Sequence, residues 1–222
     1  DAHRDEILAH VRKHRVTVVV GETGCGKSSR LPLMLMQQPG VKRPKMMVSQ
    51  PRRIAARALC NRVRKMPGCA GLVGLRLGHG EKDEAPGTRL WFVTAGYLVR
   101  LLASYPASFN DHTHLIVDEV HERSVDTDVL CLLVRRLVAT NPKIRVVLMS
   151  ATLCAELLRD YFELASPHIF VGARRFVNEV FYADELAEGA LRWPMKLKQR
   201  AAQLAHSTSS GSFKDLSNQV DL

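Results

Sequence analysis

The stretch GETGCGKS, Gly21 to Ser28, fits the spacing G-x-x-x-x-G-K-[ST] between an apolar run and a segment of helical period. Gly21, Gly24 and Gly26 let the backbone curl so that successive N–H groups converge on phosphate oxygens, helped by the positive end of the following helix. Glu22, Thr23 and Cys25 complete the loop. Lys27 is placed for the outer phosphates of a nucleoside triphosphate, and the Ser28 hydroxyl for a magnesium ion. A carboxylate pair stands 91 residues after Lys27, in HLIVDEVH (114–121). Asp118, at the end of the apolar run, suits the metal. Glu119 can also face the metal and can polarise an attacking water, which is the chemistry of hydrolysis.

These residues need rigid elements beneath them. Apolar runs at 16–20, 46–50, 90–94, 114–118 and 145–150 read as strands, with weaker candidates at 71–77 and 168–171. Helical patterns fall at 51–66, 95–103 and 125–139, and residues 1–14 read as an amphipathic helix. Continuous apolar strands alternating with helices predict an α/β fold, a doubly wound and mostly parallel sheet with helices on both faces. Pro32 falls inside the helix after the loop and predicts a kink there. After about residue 182 the pattern changes. HSTSSGS (206–212) reads as linker, so residues 1–182 are expected to form one domain and 183–222 a linker or the start of a following one.

The net charge of +10 is uneven: residues 1–70 hold 15 Lys or Arg against 4 Asp or Glu, and residues 71–222 hold 17 against 18. A polyanion is the natural partner for the first region, with an ordinary solvated basic surface as the alternative. The five cysteines have no paired spacing and nothing resembles a signal peptide, which predicts a reducing, intracellular setting. No apolar run is long enough for a bilayer span, so no membrane partner is expected.

In order, GETGCGKS, SQPRRIAAR, FVTAGYLVR, LIVDEVHERS and LMSATL resemble the motifs of the first RecA-like domain of a DEAH-box (DEAH/RHA) RNA helicase, with HERSVDTDVL similar to the RNA helicase A subgroup. The resemblance covers about residues 4–182. It implies a P-loop NTPase using ATP or another NTP with Mg2+, RNA as partner, and hydrolysis that drives translocation and unwinding. It assigns Lys27 and Glu119 to catalysis with His121 as relay, and Ser28, Asp118 and Glu119 to the metal. It assigns Ser150, Ala151 and Thr152 to coupling, and Arg52, Arg53, Thr94 and Gly96 to the RNA backbone. Phosphate contacts of that kind give affinity without sequence specificity. A non-hydrolysing RNA-binding or scaffold protein of the same fold is the alternative. Intact Lys27, Asp118 and Glu119 weigh against it.

Three departures carry expectations of their own. Val120 stands where the family usually has Ala and is expected to leave activity intact, and Cys25 stands where Ser or Ala is usual. Gly78 stands where the family often has an RNA-contacting Arg, which makes Arg76, on the same face of a strand, the alternative candidate. The family's second RecA-like domain supplies arginine fingers through a Q-x-x-G-R-x-G-R motif absent from these 222 residues. The chain therefore reads as a piece of a longer protein that hydrolyses nucleotide poorly alone, completed by that second domain and, in some settings, an activating protein.

Overall fold

Alternation of buried faces explains the architecture. In the computed structural model, which describes residues 3–172 except 23, 42, 79, 152–154 and 165, strand β1 (Val16–Val20) is buried at every position. So are β2 (Met46–Gln50), β5 (Leu90–Thr94) and β6 (His114–Val117). Successive side chains of a strand point to opposite faces, so strands buried throughout must be covered on both sides. Helices α1 (Arg4–Lys13), α2 (Lys27–Met36) and α3 (Arg53–Arg64) cover one face, closing a core with Val19, Val48, Phe92, Ile116 and Met149. Helices α4 (Ala95–Ser104), α5 (Val125–Thr140) and α6 (Ala155–Tyr161) cover the other, over Val18, Met47, Val93, Leu115 and Leu148.

The sheet has eight strands in the order β4-β3-β5-β2-β6-β7-β1-β8, where β3 is Val73–Arg76, β4 Lys82–Asp83, β7 Arg145–Ser150 and β8 Ile169–Phe170. All neighbours are parallel except β3 and β4. The expected strands and helices are all present, with ends moved by a few residues; the two-residue β4 is an addition that no apolar run announces. The chain ends of β1, β7 and β6 lie side by side, since Val20 pairs with Ser150 and Val117 with Leu148. Those of β2 and β5 do likewise, through Gln50 and Thr94. Open α/β sheets bind ligands outside the carboxyl ends of their strands, and both groups of candidate residues lie there.

Helix α2 runs through Pro32 over its whole assigned span, with the ring buried. Among the described residues no helix is long and apolar enough to cross a membrane. By its internal contacts the chain divides into Asp1–Arg174 and Arg175–Leu222. The expected boundary at 182 and the linker at 206–212 lie outside the described residues.

Candidate nucleotide site and nucleic-acid face

The loop after β1 is pinned before it turns. The Gly21 N–H donates to the Ser150 carbonyl at 3.0 Å, tying the loop to the end of β7. A Cβ at Gly21 would stand 2.2 Å from the Val171 carbonyl oxygen, so only glycine fits between β1 and the segment after β8. Gly24 and Gly26 have φ of 85° and 96°, the left-handed region that glycine enters without steric cost. Gly26 caps α2 without a side-chain acceptor, and no acidic residue occupies the first helical turn. The first N–H groups of α2 thus keep their capacity for an anion.

Lys27 is only 7% exposed. Its ammonium group donates to the Gly21 carbonyl, to the Glu22 carbonyl at 2.9 Å and to the Cys25 sulfur at 3.8 Å. All three of these hydrogen bonds go to neutral acceptors, while the charge of Lys27 also acts on the Asp118 and Glu119 carboxylates. Thr23 lies outside the described residues.

Asp118 leaves the end of β6 and is 1% exposed. It accepts from the Gln50 amide at 2.5 Å, from the Glu119 backbone N–H at 3.0 Å and from the Ser28 hydroxyl. Burial pushes its carboxyl above the usual range, while those three donors and the Lys27 charge pull the other way. Glu119 sits at φ 54°, ψ 38°, a left-handed backbone that costs a non-glycine residue of order 1 kcal/mol or more and is typical of functional sites. Burial first, and the neighbouring Asp118 second, raise its pKa; His121 and Lys27 oppose them.

This donor set fits magnesium. No cluster of three or more His, Cys, Asp or Glu side chains suited to a metal occurs among the described residues. Magnesium characteristically takes one or two carboxylates, with substrate phosphates and water filling the rest. Asp118 and Ser28 would hold it.

His121 lies in a 3-10 turn over Val120–Glu122. Its Nδ1 accepts from the Ala151 N–H at 3.3 Å and lies 3.4 Å from Glu119 Oε2. One ring nitrogen serves only one of these at a time: accepting from Ala151 requires a bare nitrogen, whereas pairing with the Glu119 carboxylate requires a proton there. Ser150, buried at the end of β7, presents its carbonyl to Gly21. Thr152 lies outside the described residues. Val120 is buried in the core under α4 to α6 and carries no polar role.

The structure brings the candidate nucleic-acid residues together at the ends of β2 and β5. Arg52 caps α3 from an extended backbone, exposed, with its guanidinium 3.5 Å from Glu122. Arg53 pairs with Glu81 at 2.9 Å, and Arg57 with the same carboxylate. The Thr94 hydroxyl caps α4, accepting from the Tyr97 N–H at 3.3 Å. A Cβ at Gly96 would meet an Asp126 carboxylate oxygen at 2.7 Å. Arg76, the alternative to a side chain at position 78, pairs twice with Glu84, at 2.7 and 3.1 Å, and lies 4.9 Å over the Trp91 ring. The guanidinium of Arg100 instead stands 2.7 Å from where a Cβ of Gly78 would be.

A cleft of about 360 Å³ joins the two groups, lined by Gly24, Lys27, Ser28, Gln50, Arg52, Arg62 and Glu119 among others. Arg62 escaped the sequence reading. Its signal was the helical spacing of Ala55, Leu59 and Arg62, which the structure places on the face of α3 that lines the cleft.

Fold and loop together define a RecA-like α/β domain built around a phosphate-binding turn. Residues 2–160 match the DEAD/DEAH box helicase family, and the chain belongs to it. It is 38% identical over 206 residues to a probable ATP-dependent RNA helicase spindle-E of Drosophila erecta, covering 86% of this chain. It is 40% identical over 192 residues to the putative ATP-dependent RNA helicase DHX57 of Homo sapiens, covering 83% of this chain. In both cases it spans 14% of the relative's length.

Proposed function

We propose that this chain is the first motor domain of an ATP-dependent RNA helicase, residues 1–182 forming the domain and 183–222 leading to the next. The observation that carries this reading is Asp118, buried at 1% exposure and held by Ser28 and Gln50 beside Lys27. Burying a carboxylate beside a lysine costs free energy that a fold without nucleotide chemistry has no reason to spend. Bound Mg2+ would polarise the terminal phosphate and neutralise its developing charge. Lys27 and the N–H groups of the loop orient the phosphates. Glu119, whose raised pKa suits a proton acceptor, takes the proton of the attacking water.

His121 then connects the charge on Glu119 to Ala151, and the Arg52–Glu122 pair connects the turn after Glu119 to the nucleic-acid face. Arg52, Arg53, Thr94 and Gly96 hold an RNA backbone, as the names of the relatives support. The second RecA-like domain supplies the missing charge stabilisation. The free thiols of Cys25, Cys60, Cys69 and Cys131 suit an intracellular protein.

RNA-stimulated ATP hydrolysis by the full-length protein tests the reading. Glu119→Gln should lower the rate by about 10²-fold or more while nucleotide still binds. Lys27→Ala should weaken binding itself. Wild-type hydrolysis in both variants would overturn the assignment.

A further inference from the structure

Gln50 closes β2 as a polar residue at 2% exposure, after the apolar Met46, Met47 and Val48. Ser49 pairs with Val117, so Gln50 and Asp118 follow in register on neighbouring strands and their side chains leave the same face of the sheet. The Gln50 amide donates to Asp118 Oδ2 at 2.5 Å, and the other oxygen, Oδ1, accepts from the Glu119 N–H at 3.0 Å. Donors on two separate segments thus fix the plane of the carboxylate, in a place where burial keeps water from replacing either one. The amide does this without charge. An arginine or lysine in its place would neutralise Asp118 and repel a cation beside it.

The same short stretch also reaches the other end of the acidic turn. Arg52, two residues on, lies 3.5 Å from Glu122, so the end of β2 holds both Asp118 and Glu122. Between them Pro51 has a fixed φ and keeps the preceding Gln50 extended, which leaves little slack between the Arg52 backbone and the Gln50 amide. On its other side Gln50 pairs with Thr94 in the sheet. It therefore stands between the carboxylate suited to the metal and the residues assigned to the RNA backbone.

We infer that Gln50 is a positioning residue: it sets the Asp118 carboxylate for the metal and ties that setting to RNA held at Arg52, Arg53 and Thr94. It rests on the reading of this domain as an RNA-driven nucleotide hydrolase. In this role Gln50 acts only through Asp118, as the outer partners of metal ligands do.

The experiment is binding of a fluorescent ADP analogue to the full-length protein across a range of Mg2+ concentration, with and without saturating oligouridylate, and with melting curves showing that each variant is folded. Gln50→Met conserves volume and removes the donor. It should raise the half-saturating Mg2+ concentration on the order of 10-fold, while binding in EDTA stays at the wild-type level. Gln50→Asn, which keeps an amide but draws it back from Asp118, should act in the same direction. A residue that only supported the fold would weaken binding equally with and without Mg2+. RNA should lower the half-saturating Mg2+ concentration of the wild type by about 5-fold or more, and this shift should be lost in Gln50→Met.

Asp118→Asn separates failure of the inference from failure of the reading beneath it. Loss of Mg2+ dependence in that variant, with wild-type Mg2+ dependence in both Gln50 variants, overturns the positioning role alone. Wild-type Mg2+ dependence in Asp118→Asn overturns the reading of the site itself. An RNA shift that is equal in wild type and Gln50→Met, or absent from the wild type, overturns the tie to RNA and with it the proposal.

Discussion

The proposed nucleotide cleft and the proposed nucleic-acid face use the same kinds of charged residue under opposite conditions. In the cleft, Lys27 and Asp118 are buried and fully hydrogen-bonded, and the loop between them is fixed by backbone contacts. On the nucleic-acid face, Arg52, Arg53 and Arg57 are exposed and pair with Glu122 and Glu81 across the surface. Buried charge is costly to install and costly to disturb, so it fixes the geometry that catalysis requires. Exposed ion pairs are worth little and break readily, which would suit the moving strand proposed for that surface.

The largest expected effect sets two glycines against each other. Gly21→Ala drives a methyl group into the Val171 carbonyl, and that backbone is tied to β1 by the Val171 N–H to Val20 carbonyl bond at 2.7 Å. Such overpacking costs about 1–3 kcal/mol. Urea unfolding should show that loss, along with weakened nucleotide binding. Gly96→Ala meets only the exposed end of Asp126, which can turn aside, so its cost should stay below about 0.5 kcal/mol. Equal losses in the two variants would erase the contrast between a rigid and a yielding region.

A middle effect concerns pH. Burial raises the folded-state pKa of Asp118 above its unfolded value. For a carboxyl group this makes the folded state strongest at low pH, with stability lost as pH rises through the raised pKa. Asp118→Asn should therefore raise the melting point of the nucleotide-free protein at neutral pH. The gain should shrink as pH falls below the ordinary carboxylate range. The Asn oxygen can still accept from the Gln50 amide N–H. The same variant should lose the magnesium-dependent part of nucleotide stabilisation. A lower melting point at neutral pH would show that the hydrogen bonds to Asp118 outweigh its burial.

The smallest effect lies on the exposed side. Glu81→Gln releases Arg53 and Arg57 from an exposed ion pair that contributes little to stability. RNA affinity at low salt should rise by about 2- to 5-fold. A fall would mean that Glu81 holds those arginines in their binding positions.

The sequence by itself determined the strands, the phosphate loop and the paired carboxylates. An apolar run of five residues, a glycine that must take positive φ, or a lysine next to a helix start is decided by neighbours a few positions away. Asp118 and Glu119 could thus be placed at a strand end without knowing which strands flank it. The tertiary structure alone decided which charges are paired and how deeply. Arg76 pairs with Glu84 and lies over Trp91, Arg53 pairs with Glu81 and Arg52 with Glu122 at the exposed surface, and Arg100 extends over Gly78. It alone joined His121 to Ala151, and turned the face of α3 that carries Arg62 toward the loop. These pairings depend on strand order and register, which bring together residues that crossover helices separate in the chain, and local spacing carries no record of which crossover was taken.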